Sequence, residues 1–573
     1  MPDAAAARVE TGRPSAAALA WTQIRYANRS FWRRPIAAFF TIVFPLIFLV
    51  LLSALIGNQV VDAGGDLRLS QFLAPRIAAF SATGASFMSL AIALSIDRDE
   101  GTLKRIRGTP LPPALFLVGR IGSAVWIALL SVAIMISVGV AFFGVQMVWR
   151  SLPWALLALA CGIGCFAALA LVVVALAPSA AATPAITNGT VLPLAFISDV
   201  FGDASGLPSW LQTVGWVFPL KHFVHALQDA FNPYLAGEAP HWDHYGVMLA
   251  WGVAAAVAAL LLFRWESPRK GGATAPVSER ETPRDPRRLR PVEEPGRPPG
   301  LALVANQAGY ATRKLFRNTA SVFFTIAFPV ILLVLLPVVF GDGPLDYRGG
   351  IPLAQFLAPV LGVFGAAMAA YSDFSERVAT DRDDGILKRL HGTPLPAWAY
   401  FTGRIAGAVA VAFLSLVVVL VAGVVVHHVE VVWRALPGLA VTVVVGTGCF
   451  AALGLGLATA APDARSTSAL AQATLLPLSF FSDVFLIGDL PTWMDTVGWV
   501  FPLKHFANAV ADAFNPTVAG AGFFPDHLAV MAAWLLVGAA ATLRWWTWEP
   551  RTSGRARRRG RRGRAATGAT SSG

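Results

Sequence analysis

The sequence predicts an all-α polytopic membrane protein built from two tandem domains of six membrane-spanning helices each. The first observation is an internal repeat: FFTIVFPLIFLVLL at residues 39–52 returns as FFTIAFPVILLVLL at 323–336, and TVGWVFPLKHF at 213–223 returns unchanged at 496–506. The second is composition, because a chain that is 56% hydrophobic and only 14% charged is too apolar for an ordinary soluble domain. Two copies of one membrane unit in a single chain are typical of transporters.

Membrane spans follow from the apolar stretches, since a helix needs about 20 mainly apolar residues to cross the hydrocarbon core. The fifth stretch of each repeat is short and continues into a polar turn. Six spans per repeat is an even number, so the repeats should share one orientation and be related by a pseudo-twofold axis along the membrane normal. The predicted spans are 35–57, 71–95, 115–143, 153–177, 183–201 and 245–263, then 320–340, 353–379, 397–426, 436–460, 468–485 and 528–543.

The distribution of arginine predicts the orientation and the domain boundaries. Arginine-rich segments at 25–34, 104–107, 264–300 and 551–564 should face the cytoplasm, which places both termini there. The proline-rich, charged segment predicts a disordered linker, and the first 20 residues lack the apolar core of a cleaved signal peptide. The predicted domains are 1–263, the linker 264–300, 301–550 and the basic tail 551–573. Segments 17–32 and 301–316 are either interfacial helices or plain cytoplasmic helix ends.

The net charge of +12 does not indicate a nucleic-acid partner. Eight arginines lie in the final tail and most of the other basic residues flank spans, so topology and anionic lipid headgroups account for them. Cys161, Cys165 and Cys449 fall within the predicted fourth spans without paired metal-ligand spacing, and they are expected to be small core residues.

The loop between the second and third spans carries the most specific repeated motif. DRDEGTLKRIRGTPLP at 97–112 returns as DRDDGILKRLHGTPLP at 381–396, more detail than a merely positive loop requires. Glycine should end the incoming helix, and Gly-Thr-Pro should end a short amphipathic turn, leaving a stiff charged projection. The candidate coupling residues are Asp97, Asp99, Glu100, Gly101, Leu103, Lys104 and Arg105, with Asp381, Asp383, Asp384, Gly385, Leu387, Lys388 and Arg389.

Here the chain resembles the permease family of ABC-2 type transporters, which includes drug and antibiotic exporters of the bacterial plasma membrane. The resemblance rests on the acidic-Gly-Thr-Leu-Lys-Arg pattern and on a late motif formed by Pro208, Trp210, Leu211 and Gln212, then Phe218, Pro219 and Leu220. It implies that the charged projection is a coupling helix that docks on an ATP-binding subunit. Typical members carry one permease unit per chain, so this chain looks like two fused units that form a complete translocation core.

The chain offers no site for ATP. A P-loop needs Gly-Lys-Ser/Thr, and none of the six lysines follows a glycine. The resemblance therefore implies that ATP and Mg²⁺ are bound by two copies of a separate ABC ATPase subunit, and that this chain holds no cofactor and is not an enzyme. The acidic side chains of the projections are expected to meet arginines or helix N-termini of that partner.

The region between the fifth and sixth spans repeats SDVF, GWVFPLKHF and DAFNP, and its prolines and tryptophans favour short re-entrant or interfacial helices. We interpret it as an outer gate. Its ionisable residues are either proton-carrying or catalytic groups, or an Asp and a Lys that satisfy one another at the membrane boundary. The candidate gate residues are Asp199, Pro219, Lys221 and His222, with Asp483, Pro502, Lys504 and His505.

Two further clusters distinguish the repeats. Asp373, Glu376 and Arg377 replace Ser89, Ile92 and Ala93, and they form either an inner-mouth substrate contact or a structural i,i+4 pair. His241, Asp243 and His244 resemble part of a metal site, but only Asp526 and His527 survive in the second repeat, so no metal site is predicted.

The predicted function is the permease of an ATP-driven exporter that moves a hydrophobic or amphipathic compound, such as a drug, antibiotic or lipid-like molecule, out of the cytoplasm or inner leaflet. The alternatives are export of lipid-linked glycans or polysaccharides, and a membrane-embedded lipid-modifying enzyme with Asp199 and His222 as acid and base. A self-contained secondary transporter would carry buried ionisable residues mid-span in both repeats, and they are mostly lacking.

Overall fold

The computed structural model describes residues 15–55, 59–62, 66–202, 206–235, 240–263, 299–485 and 491–549. The predicted basic tail and nearly all of the predicted linker lie outside these residues. The first 14 residues, which belong to the segment considered for a signal peptide, also lie outside them.

The first repeat folds into twelve α-helices and one β-hairpin. Strands β1 (Val60–Asp62) and β2 (Asp66–Arg68) pair antiparallel, with Val61 opposite Leu67. The helices are α1 (Ala16–Trp32), α2 (Pro35–Ala38), α3 (Phe44–Leu55), α4 (Leu69–Thr83), α5 (Leu90–Asp99), α6 (Thr102–Arg107), α7 (Pro113–Phe143), α8 (Leu152–Leu176), α9 (Thr183–Ile197), α10 (Ser209–Val217), α11 (Pro219–Phe231) and α12 (Trp242–Leu262).

The second repeat reproduces this order element by element. Strands β3 (Pro344–Leu345) and β4 (Ile351–Pro352) form the matching hairpin. The helices are α13 (Gly300–Phe316), α14 (Thr319–Val322), α15 (Phe328–Phe340), α16 (Leu353–Ala367), α17 (Phe374–Asp383), α18 (Ile386–His391), α19 (Ala397–His427), α20 (Leu436–Ala460), α21 (Ala464–Phe481), α22 (Thr492–Val500), α23 (Pro502–Ala513) and α24 (Pro525–Trp545).

The predicted all-α class with tandem membrane domains is confirmed. Within the described ranges, nine helical segments are long and apolar enough to cross a membrane. Three of the twelve predicted spans are not both long and apolar enough to be counted among them. Phe39–Ser53 and Thr183–Ile197 are apolar but short, and α21, at 18 residues, is more polar. The nine are Leu69–Asp99, Ala114–Phe143, Trp149–Leu176, Trp242–Leu262, Thr319–Phe340, Leu353–Asp383, Ala397–His427, Trp433–Ala460 and Pro525–Trp545.

The described residues divide into two compact units. Unit 1 contains residues 15–53, 59–183 and 216–263, and unit 2 contains 54–55, 184–215 and 299–549, with the gaps given above. Within each unit one helix is central, because every residue of α4 and every residue of α16 is buried. Neighbouring helices also pack closely, with phenylalanine rings against glycines. A Cβ on Gly162 would lie 2.5 Å from the ring of buried Phe223, and one on Gly446 would lie 2.6 Å from that of Phe506.

Short π-helical segments interrupt the first two spans of each repeat, at Phe39–Val43, Gly84–Ser89, Phe323–Ala327 and Met368–Asp373. The segments in the first spans lie directly before Pro45 and Pro329. A proline has no N–H to donate to the carbonyl four residues earlier, which is that of Thr41 or Thr325. A serine donates instead: Ser81 Oγ lies 2.6 Å from Thr41 O, and Ser415 Oγ lies 2.6 Å from Thr325 O.

The two serines come from different helices. Position 365, which corresponds to Ser81, is glycine, and a Cβ there would lie 2.3 Å from both Ser415 Oγ and Thr325 O. In unit 1 the counterpart of Ser415 is Ser131, whose hydroxyl bonds to Ala128 O of its own helix at 2.8 Å. Each unit therefore satisfies the same carbonyl with a donor from a different span.

We expect Ser81→Ala and Ser415→Ala each to lower the free energy of unfolding by about 1 kcal/mol, because a buried carbonyl loses its side-chain donor. Thermal unfolding of the purified chain in detergent measures the loss. Ser131→Ala is the matched control, since this serine only bonds within its own helix, and it should change stability by a few tenths of that amount. Equal losses in all three variants would contradict the assignment.

Candidate functional site

The loop between the second and third spans has the local structure that the sequence predicts. Helix α5 ends at Asp99, and Gly101 adopts a left-handed φ of +70° that starts the six-residue helix α6. Gly385 has a φ of +69° at the start of α18. Leu103 and Leu387 are completely buried, so each short helix is anchored by one leucine while its basic residues remain exposed. We refer to α6 and α18 as the coupling helices, after the role that the sequence analysis expects of them.

The Asp-Arg-Asp run before α6 fastens the loop to the rest of unit 1. Asp97 is buried and paired with Arg120 of α7. Arg98 donates to the carbonyls of Val174 and, at 2.7 Å, Ala177, where α8 ends. Asp99 accepts a hydrogen bond from the N–H of Ala180 at 2.6 Å. Three consecutive residues thus connect α5 to α7, to the C-terminus of α8 and to the turn that follows it.

Unit 2 repeats the same connections. Asp381 is fully buried and bonds to Arg404 of α19 at 2.8 Å and to Lys314 of α13 at 2.6 Å. Arg382 donates to Ala458 O at 2.7 Å and to Ala461 O at 3.3 Å, at the end of α20. Asp383 accepts from the N–H of Ala464 at 2.8 Å.

These contacts involve acidic residues whose docking role stays a prediction. Four of the candidate docking carboxylates, Asp97, Asp99, Asp381 and Asp383, bind groups of their own unit, because an Asp near a span end needs an internal partner. Their bonds hold the segment before α6 or α18 to its own unit. The exposed candidates are Asp99, Glu100, Lys104, Arg105, Asp384, Lys388 and Arg389.

Arg120, Arg404 and Lys314 were missed by sequence reasoning. The available signal was an arginine at the same position of an otherwise apolar third span in both repeats, since an intramembrane charge needs a partner. Lys314 has Ser30 at the matching place in the first repeat, so only a structure assigns it.

We expect Arg120→Met to lower the free energy of unfolding by about 3 kcal/mol, because buried Asp97 would lose its ion-pair partner on α7. Thermal unfolding in detergent measures this loss. Asp97→Asn in the same background should restore much of it, and Arg107→Met on the exposed face of α6 is the control with little effect. A loss that Asp97→Asn does not relieve would contradict the buried pair.

At the opposite end of each unit, a buried glutamine of the repeated QFLAP segment joins three elements. Gln71 donates to Gln146 O at 3.1 Å and Phe231 O at 2.6 Å, and accepts from the N–H of Gln146 at 2.6 Å. Gln355 makes the matching bonds to Glu430 O, Phe514 O and the N–H of Glu430. The segment occurs at residues 71–75 and returns at 355–359, and the sequence analysis assigned no role to its glutamine.

The candidate gate residues of unit 2 form one polar network. Lys504, which is 1% exposed, lies 3.3 Å from Asp483 and also bonds to Asp495. Asn508 donates to Asp483 at 3.0 Å. Arg348, from the 3₁₀ helix Asp346–Arg348, lies 3.6 Å from Asp483 and 3.3 Å from Asp512. This geometry agrees with the structural alternative, in which the Asp and the Lys satisfy one another. Asp199 and Asp483 share a left-handed φ of about 60°.

The gate histidines are held by other groups. His222 Nε2 lies 2.7 Å from Trp216 O, and its Nδ1 lies 3.0 Å from His244 Nδ1. Burial lowers the pKa of His222, so the ring is neutral at pH 7. His505 has the same two partners, Trp499 O at 2.8 Å and His527 at 2.9 Å. Both nitrogens of each ring therefore have a partner within the same unit. Pro219 and Pro502 begin α11 and α23.

The cluster predicted at the inner mouth connects four elements of unit 2. Asp373 pairs with Arg377 at 3.4 Å, the i,i+4 contact anticipated from sequence, and accepts from Thr325 at 3.3 Å. Glu376 accepts a hydrogen bond from Ser468 of α21 at 2.8 Å. Arg377 also reaches Ala311 O of α13 at 3.4 Å. Asp373 closes the π-helical segment of the second span, a position held by Ser89 in the first repeat.

Comparison with known families gives one match, and it occurs twice. The model described as ABC-2 type transporter matches residues 18–232 and residues 309–515. The two matched segments contain both coupling helices and both sets of candidate gate residues. A comparison with curated proteins found no match.

Proposed function

Because this chain belongs to the ABC-2 type transporter family as two fused permease units, we propose that it moves a hydrophobic or amphipathic compound out of the cytoplasm or inner leaflet. It is the transmembrane subunit of an ABC exporter. Two copies of a separate ABC ATPase supply the energy by docking under α6 and α18. The protein lies in the bacterial plasma membrane with both termini and both coupling helices in the cytoplasm.

The main support is the way in which the coupling helices are mounted. Each is a short helix with an exposed basic face, anchored by one buried leucine. The Asp-Arg-Asp residues before it bind the third span and the C-terminus of the fourth. A push on such a helix is transmitted to three spans together, because buried, closely packed groups do not move independently.

The exposed acidic side chains beside the coupling helices are the groups that we expect to contact the ATPase. Glu100 and Asp384 occupy the matching C-cap positions of α5 and α17 directly before the glycine turn, and both are exposed. Charge-assisted contacts from these two carboxylates to cationic groups of the partner would fix the orientation of each coupling helix.

We expect the double substitution Glu100→Lys and Asp384→Lys to uncouple ATP hydrolysis from export, because each docking contact would become repulsive. The chain is co-purified with its ATPase, reconstituted in liposomes and tested for substrate-stimulated hydrolysis and transport. Stimulation should fall by at least about tenfold, the effect of about 1.4 kcal/mol of lost coupling.

The matched control reverses two exposed acids of unit 2 at the opposite end, Asp346→Lys and Glu430→Lys, with the same change in net charge. This variant should retain coupling. Full export by the Glu100→Lys and Asp384→Lys chain would refute the docking assignment, and transport by the chain without any ATPase would refute the proposed function.

Substrate contact is proposed at the cluster of Asp373, Glu376 and Arg377, because the first repeat has only Ser89, Ile92 and Ala93 there. Asp373→Ser, Glu376→Ile and Arg377→Ala together should change the relative transport of cationic and neutral compounds, because two acids and one base are removed. Transport assays with a matched pair of such compounds measure this. An unaltered ratio together with lowered thermal stability would mean that the cluster is purely structural.

A further inference from the structure

We propose that the first repeat carries a binding site for one divalent metal ion of the zinc class, at the end of unit 1 opposite the coupling helix. The ligands are Asp229 of α11 and the two histidines at the start of α12, His241 and His244. This site is independent of the transport mechanism proposed above. The sequence analysis predicted no metal because only Asp526 and His527 survive in the second repeat, and it did not consider Asp229, which reaches His241 and His244 only in the fold.

The three donor atoms lie close enough together to share one tetrahedral ion after small side-chain rotations. His241 Nδ1 lies 2.8 Å from Asp229 Oδ2, and His244 Nε2 lies 4.0 Å from the same oxygen. All three atoms lie within 4.8 Å of one another. Zinc bonds of about 2.0–2.1 Å at tetrahedral angles place donor atoms about 3.3 Å apart, between the two distances observed. Small rotations of exposed His241 and half-buried Asp229 complete the geometry, and solvent supplies a fourth ligand.

The hydrogen bonds around His244 prepare its Nε2 as a ligand. Trp216 O can only accept, so His222 donates from Nε2 and its Nδ1 carries a lone pair. His244 must then donate from Nδ1 to His222, at 3.0 Å, which leaves the lone pair of its Nε2 facing Asp229. Two acceptors that face each other at 4.0 Å repel, and a cation between them removes the repulsion.

His244 also has the outer partners that metal-bound histidines usually have. Its Nδ1 lies 3.4 Å from Asp243 as well as 3.0 Å from His222, and its ring stacks on Trp216 at an interplanar angle of 12°. Such contacts fix the tautomer and the ring orientation and raise the basicity of the ligating nitrogen.

The second repeat keeps the histidine pair but loses the site. His505 and His527 reproduce the bonds of His222 and His244. Phe524 occupies the position of His241, and its ring lies 6.1 Å from that of His527. Asp512, the counterpart of Asp229, bonds to Arg348 at 3.3 Å. The second repeat therefore lacks the counterpart of His241, and its counterpart of Asp229 is already paired with an arginine. It serves as a comparison within the same chain that should bind no metal.

A bound ion would fasten α11 to the beginning of α12 across the intervening loop. The site is reachable from solvent, since the side chain of His241 is 58% exposed and that of Asp229 is 26% exposed. Metal binding requires no opening of the bundle.

The test uses the purified, tag-free full chain in detergent, stripped with a chelator and titrated with Zn²⁺ against a chromophoric competitor. We expect one tight site per chain, and a visible tetrahedral spectrum when Co²⁺ replaces zinc. His241→Phe, which introduces the second-repeat residue, and Asp229→Asn should each remove this site. Asp243→Asn should weaken it by roughly 10- to 100-fold, the usual cost of losing an outer partner.

The matched control is His428→Asn, which removes an exposed histidine of the second repeat and should leave the stoichiometry at one. Elution volume and the melting temperature without metal establish that each variant is folded. Absence of a tight site in the parent chain would overturn the proposal. So would undiminished binding in folded His241→Phe and Asp229→Asn chains, because the zinc would then lie elsewhere.

Discussion

The buried pairing of the Asp-Arg-Asp residues before each coupling helix is the constraint on which the rest of the structure depends. In unit 1 it joins α5 to α7 through Asp97 and Arg120, and to the end of α8 through Arg98. Charged groups are costly to bury, so their retention in both repeats is understandable only if each finds a partner. The partners differ in kind, because one is a side chain and the others are backbone groups at a helix end. Together they allow a six-residue helix to keep one fixed orientation.

Because the two permease units are fused in one chain, each repeat can use different residues for the polar contacts that hold α11 or α23 in place. Unit 1 uses buried Arg76, which donates to Gln228 at 2.6 Å, to connect α4 with α11. In unit 2, Arg348 reaches α23 from a loop and contacts Asn508 and Asp512. The polar cluster on α17 occurs only in the second repeat, whereas the histidine-rich turn is complete only in the first. A symmetric homodimer would not allow such division, because every change would appear twice.

The sequence was sufficient for the elements whose signals are local. Apolar length predicted the long spans, and glycine and proline predicted the ends of the coupling helices. It failed where the outcome depends on residues far apart in the chain. From the sequence alone, Asp97 is expected to be an exposed loop residue, and only the fold shows that it is buried beside Arg120. Asp229 is likewise expected to lie in a turn, and only the fold brings it to His241 at the start of α12. The π-helical segments of the first spans escaped prediction because the proline beside each one and the serine that donates to the freed carbonyl lie in different spans. Hydropathy also counted the fifth spans as full crossings, although their helices are short or partly polar.

The glycine at position 365 has a consequence for how such a fused gene can evolve. Copying the first-repeat codon into this place would install a serine whose Cβ lies 2.3 Å from Ser415 Oγ and from a backbone oxygen. Gene conversion, which tends to make tandem duplicates identical, would therefore yield a damaged protein unless Ser415 changed at the same time. At position 365 the two repeats therefore cannot become identical without a compensating change.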